Sequence, residues 1–145
     1  MLAPRFAPGT PGKAHYADTN FLLLGQILEA VTGQPFASLV AEHIARALGL
    51  TQTFMLTLET ASRLGEVTPI SNGKTPLSIP KILLSLGAEG GLVSTLDESM
   101  RLLKAFMSGE LFNPVWLDRM KAEWNPVFYP FEYGNGVMKF EMHPV

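Results

Sequence analysis

Two serines in this 145-residue chain stand three positions ahead of a lysine, in Ser71-Asn72-Gly73-Lys74 and Ser78-Ile79-Pro80-Lys81. A serine hydroxyl is a weak nucleophile that needs a neighbouring base. A lysine one helical turn along shares its face, so such a pair can exchange a proton. In the first string Asn-Gly marks a turn, which does not set Ser71 and Lys74 on a common helix face. The second opens a helix, where Ser78 reads as an N-cap and Lys81 as a solvated cation. His15, His43 and His143 are scattered without ligand spacing, and the absence of cysteine removes thiolate ligands, so neither a metal nor another cofactor is expected. His43 falls on the apolar face of its helix and reads as a packing residue. His15 reads as a wall or surface residue, and Lys13 as solvated. Gly90-Gly91 lacks the pattern of a phosphate loop and reads as a tight turn. Trp116, Trp124, Phe128 and Tyr129 read as packing.

The elements that must position these residues are mostly helical. Residues 1–15 hold Pro4, Pro8, Gly9, Pro11 and Gly12, a turn-rich lead-in. Asp18 opens a helix in which Phe21, Leu24, Leu28 and Val31 fall at helical spacing, and Gly33 stops it. Pro35 starts a second helix with a stripe of Phe36, Leu39, Val40, Ile44, Ala47 and Leu48, closed by Gly49. Residues 51–77 are mixed, with a turn at Asn72-Gly73. A short helix is expected from Ser78 through Leu86. Thr95-Leu-Asp-Glu98 predicts a capping box, and Leu96, Met100, Leu103 and Met107 a buried face after it. Asn113-Pro114 caps a short helix through Met120. Met138, Phe140 and Met142 alternate with Val137, Lys139 and Glu141, which predicts a strand. A lone strand cannot satisfy its own edges, so its partners are expected outside these residues or in a weak strand near 51–70.

Composition bounds the rest. With 47% hydrophobic and 17% charged residues, the chain has the apolar content to build a core and not the composition of a disordered segment. A formal net charge of −2 carries no basic footprint for nucleic acid. No run approaches the ~18 apolar residues of a membrane span. The fold expected is mainly α, a helical subdomain with a terminal strand, within one partial domain over residues 1–145.

The order of short motifs resembles the serine beta-lactamase family in the broad sense, which includes D-alanyl-D-alanine carboxypeptidases and related esterases. The motifs are Tyr16-Ala17-Asp18, Leu23-Leu24-Gly25 and Ile27-Leu28-Glu29-Ala30-Val31-Thr32-Gly33. Ala47-Leu48-Gly49-Leu50 with Thr53 follows, then Glu89-Gly90-Gly91-Leu92-Val93-Ser94-Thr95, then Tyr133-Gly134-Asn135-Gly136. The resemblance implies an α+β fold of which this chain is the helical part. It implies hydrolysis of a small-molecule ester, amide or peptide by acyl transfer to a serine. The family's Ser-x-x-Lys motif and its Lys-Thr-Gly or His-x-Gly strand are expected to lie outside these residues, leaving the chain inactive alone. By the resemblance Tyr16 is the general base, its phenol of ordinary pKa ~10 lowered by a nearby ammonium. Asp18 stands where the family usually has Asn; it would pair with the lysine but cannot donate to a substrate carbonyl, which favours an esterase or peptidase over a beta-lactamase. The 124–131 loop would edge the cleft. The alternative is a non-catalytic helical module that binds a partner, or a second copy of itself, through uncovered apolar surface.

Overall fold

The computed structural model describes residues 16–68, 70–77, 84 and 86–140. Apart from residues 84 and 86, the expected helix over 78–86 lies outside the described residues, as do the Ser78–Lys81 pair, the lead-in, Lys13, His15 and His143. The described residues form two compact units. One runs from Asp18 to Phe106; the other takes in 16–17 and 107–140.

In the first unit, helix α1 spans Asp18–Thr32. Gly33 ends it at φ +68°, its N–H donating to the Glu29 carbonyl at 2.8 Å. The Glu29 carboxylate then accepts the Phe36 N–H at 2.8 Å, so α1 caps the start of α2, Phe36–Val40. Beyond Val40 the helix widens into a π-helical stretch, Ala41–Arg46. That widening corrects the expectation for His43. Winding with i→i+5 bonds sets Val40 and Ala45 on the buried side, and His43 is exposed. Gly25 is buried on α1 because a Cβ there would sit 2.6 Å from that of Ala88, which lies on the short 3-10 turn Gly87–Glu89.

Strand β1 (Phe54–Met55) pairs antiparallel with β4 (Leu92–Val93). Between them, β2 (Ile70–Asn72) and β3 (Thr75–Leu77) form a hairpin around Asn72-Gly73, with Gly73 at φ +62°. A 3-10 helix, Ala61–Glu66, precedes it. Helix α3, Leu96–Ser108, follows β4. Its expected buried face is not buried: Leu96, Met100, Leu103 and Met107 are all exposed, as are Leu24, Leu28 and Val31 on α1. Helical spacing collects apolar residues on one side without supplying anything to cover them. The core instead gathers Val40, Ala45, Leu50, Met55, Leu56 and Ala105.

The second unit holds α4 (Val115–Met120), where the Asn113 side chain accepts the Val115 N–H at 3.1 Å. Three strands follow: β5 (Asn125–Phe128), β6 (Phe131–Tyr133) and β7 (Met138–Phe140). They form one antiparallel sheet in that order. The terminal strand is therefore not alone. Its partner, β6, lies neither outside these residues nor near 51–70 but just before it in the chain, with Phe131 opposite Phe140 and Glu132 opposite Lys139. Phe128, Phe131 and Phe140 stack at ring separations of 5.0 and 5.1 Å, and Glu132 pairs with Lys139 across the strands.

The turn after β6 docks on the end of α4, where Asn135 N–H donates to the Met120 carbonyl at 2.9 Å. A Cβ at Gly134 would meet that same carbonyl oxygen at 2.4 Å and Trp124 at 3.3 Å. Backbone cannot yield there as a side-chain tip can, so Gly134→Ala is expected to cost about 1–3 kcal/mol. Thermal denaturation checks this against Gly65→Ala, whose Cβ would meet nothing within 4 Å and which is expected to leave Tm unchanged or slightly raised.

Candidate active site

Tyr16 lies in the second unit and is 46% exposed. Its ring stands edge-on to that of Tyr133, with centroids 5.6 Å apart and planes at 73°. This is the favourable arrangement of two ring quadrupoles. Tyr133 ends β6, where pairing with Met138 on β7 and Asn125 on β5 holds its backbone. Burial pushes the Tyr133 phenol above its ordinary value. Tyr133 thus stays neutral and serves Tyr16 as a fixed wall, while the Tyr16 ring keeps a solvent-facing side. The sequence motif Tyr133-Gly-Asn-Gly136 marked this region but not that contact.

Asp18 is the first residue of α1 and is exposed. A carboxylate in a first helical turn is favoured by the positive end of the helix dipole. It offers acceptor oxygens to a cation, and no donor. Ser71 sits opposite Pro76 on the β2–β3 hairpin, and Lys74 lies in its turn. The hairpin therefore separates the roles of a Ser-x-x-Lys pair that a helix would unite. Among the described residues no group of three or more His, Asp or Glu side chains is placed to hold a metal, and no helix is long and apolar enough to cross a membrane.

The strongest polar cluster is elsewhere, around Glu98, which is only 8% exposed. One carboxylate oxygen accepts the Thr51 N–H at 2.8 Å and the Gln52 N–H at 3.1 Å. The other accepts Gln52 N–H at 3.1 Å and the Thr53 hydroxyl at 2.6 Å. With its proton given to Glu98, Thr53 Oγ1 accepts from Ser94 Oγ at 2.7 Å. Arg101, one turn further along α3, donates to the Leu48 carbonyl at 2.6 Å. The expected capping box is thereby half made. Thr95 Oγ1 does accept the Glu98 N–H at 3.3 Å, but the Glu98 side chain turns to the 51–53 segment, which offers three donors in place of one. Glu98 was visible in the sequence as a cap; its distant partners carried no local signal.

A family model described as "Beta-lactamase" matches residues 1–140. Over 44 residues, 30% of this chain, the sequence is 54% identical to a putative D-alanyl-D-alanine carboxypeptidase of Escherichia coli K12, of which the match spans 10%. The fold is similar to D-amino acid amidase from Ochrobactrum anthropi SV3, with TM-score 0.77, 25% identity, and coverage of 88% of this chain and 39% of that one. It is also similar to a D-stereospecific amidohydrolase from Streptomyces sp., with TM-score 0.75, 25% identity and coverage of 97% and 43%. The chain thus spans about two fifths of the length of these solved structures.

Proposed function

This chain belongs to the beta-lactamase family, and from that premise we propose that Tyr16 is the general base of an acyl-transfer hydrolase acting on a small amide or peptide. The serine nucleophile is carried by another stretch of polypeptide, and the 145 residues alone do not turn over substrate. The packing of the half-exposed Tyr16 edge-on against Tyr133 is the observation that supports this most directly. A cation beside the Tyr16 oxygen favours phenolate. The phenolate takes the serine proton as Oγ bonds to the carbonyl carbon, and the tetrahedral oxyanion forms. On collapse the carbon–nitrogen bond breaks and Tyr16 returns the proton to the departing amine. Water then attacks the acyl-serine and releases the acid. Asp18 serves as a lysine and substrate contact; as an acceptor it suits an amine or ammonium group of the substrate better than a carbonyl. The two similar amidohydrolases make an amide of a D-amino acid the first substrate to try.

The test joins these residues to the serine-bearing segment and measures ammonia release from D-phenylalanine amide, before and after a fluorophosphonate. Release that stops on labelling of one serine supports the assignment. Release unaffected by the label, or the label on Ser71 or Ser78, overturns it.

The exposed apolar faces of α1 and α3 favour a second role for the chain on its own, association through those faces. Sedimentation of the 145-residue chain is expected to show concentration-dependent self-association, reduced by Met100→Glu with Leu103→Glu. A clean monomer for the unmodified chain contradicts it.

A further inference from the structure

Asn135 and Gly136 form an Asn-Gly pair in the turn between β6 and β7, and both are exposed. Such a pair carries its own electrophile and nucleophile, the side-chain amide carbon and the next backbone nitrogen, with no Cβ on the glycine to shield that nitrogen. The structure holds the two apart. Three successive amides of the turn are bonded: Gly134 N–H donates to the Val137 carbonyl at 2.8 Å, Asn135 N–H to the Met120 carbonyl at 2.9 Å, and Gly136 N–H to the Gly134 carbonyl at 3.1 Å. The last bond spans two residues, and among the described residues only glycines have positive φ. Asn135 is therefore the centre of an inverse γ-turn, whose ψ is about +65°. That ψ sets the Asn135 Cβ nearly trans to the Gly136 nitrogen across the Cα–C bond, whereas closing a five-membered ring needs them nearly eclipsed. With Tyr133 and Met138 paired at the two ends, so large a rotation requires the turn to open.

We propose that Asn135 is a self-modification site, silent while this turn is docked on α4 and reactive when the turn opens. In the open turn the Gly136 nitrogen bonds to the Asn135 side-chain carbonyl carbon. The bond from that carbon to the side-chain nitrogen breaks, and ammonia leaves with the proton given up by Gly136. Water then opens the succinimide at either carbonyl. One product is aspartate at 135. The other is isoaspartate, whose main chain runs through the side-chain carbon and is one methylene longer. The added length falls inside the turn that the Gly134–Val137 bond closes. A Cβ at Gly134 would already meet the Met120 oxygen at 2.4 Å, so the longer turn does not fit the same dock. An opening that ends in isoaspartate is thereby irreversible. The site draws on neither Tyr16 nor Asp18, so it stands apart from the assignment of the catalytic base.

The experiment ages the whole chain in mildly alkaline buffer, with and without denaturing urea, and follows aspartate and isoaspartate at 135 by peptide mapping, which separates them from products of the other Asn-Gly pair at 72–73. Conversion at 135 is expected to be at least about tenfold slower in the folded chain, because only its open fraction reacts. Gly134→Ala, which crowds the dock, should raise the folded-state rate at least about fivefold while leaving the rate in urea unchanged. A far-ultraviolet spectrum and melting curve establish that this variant is folded. Should it not fold, hydrogen exchange of the unmodified chain carries the test, since the Asn135 and Gly136 amides are then expected to be protected in the chain as prepared and unprotected in the isoaspartate product. Asn135→Asp, which adds the charge without the methylene, should keep that protection. Equal rates at 135 with and without urea, no acceleration in a folded Gly134→Ala, or a protected turn in the isoaspartate product overturns the proposal.

Discussion

Tyr16→Phe is expected to lower kcat/KM for amide hydrolysis by about 10²–10⁴-fold, the usual contribution of a positioned acid–base group. On the proposed assignment of Tyr16 as base, the loss should fall on kcat, with KM little changed, because a base acts on the proton in flight and not on the bound ground state. The fold should be unaffected. Tyr16 is 46% exposed, and Phe keeps the edge-on packing against Tyr133, so Tm should stay within a degree or two. Tyr133→Leu is the complementary variant. It leaves the Tyr16 oxygen in the chain but removes its wall, so it should lower kcat less than Tyr16→Phe and be partly rescued by Tyr133→Phe. Activity measured in the polypeptide that carries the nucleophile, with a melting curve for each protein, checks all three.

The second large effect concerns the joint between α3 and the segment ahead of β1. Glu98→Ala leaves the Thr51 and Gln52 N–H groups and the Thr53 hydroxyl without the acceptor they share. Of these the Thr53 hydroxyl is buried, and a buried donor left without an acceptor costs more than the bond it loses. Glu98→Gln fares little better, since its amide NH2 must face donors. Both should lower Tm by several degrees and raise amide exchange over residues 48–56. The same joint sets a pH dependence. The Thr53 hydroxyl, above all, and then the Gln52 and Thr51 amides and Arg101, hold the Glu98 carboxyl below its ordinary value of 4.5 against the opposing effect of burial. The unfolded chain therefore takes up this proton more readily than the folded one. The contribution of Glu98 is full above pH 4.5 and is lost as pH falls through the lower native value. Melting curves across that acid range should show a limb in the unmodified chain that Glu98→Gln flattens. Parallel limbs in the two proteins contradict the role given to the carboxylate.

Local chemistry was legible in the sequence where it is decided locally. Asp18, Gly33, Pro35, Gly49 and Thr95 mark helix ends because caps and positive-φ positions depend on a few adjacent residues. Asn72-Gly73 marks its hairpin for the same reason. The strands beside β7 were hidden by Pro126 and Pro130, which argue against a strand when read alone. Pro126 is tolerated because β5 is the outer strand of its sheet, where a missing N–H leaves no neighbour unpaired. Burial was the least legible property. The stripe Leu96, Met100, Leu103 and Met107 is a sound helix face, yet spacing says nothing about what stands against it. His43 was misplaced because the π-helical widening at Ala41–Arg46 breaks the 3.6-residue count. At the candidate site, the order of motifs pointed to Tyr16 and Asp18. The partners Tyr133 and Thr53 come from 117 and 45 positions away from Tyr16 and Glu98, respectively, and only folding brings such residues together.

The base assignment is tested most directly by the rate at which the acyl-enzyme forms, followed by intact-protein mass under single-turnover conditions with a slowly deacylated ester. The serine adduct is expected to form rapidly in the unmodified protein and at least about a hundredfold more slowly in Tyr16→Phe, with the same serine acylated in both. Equal rates of acylation in the two proteins would contradict the role of Tyr16.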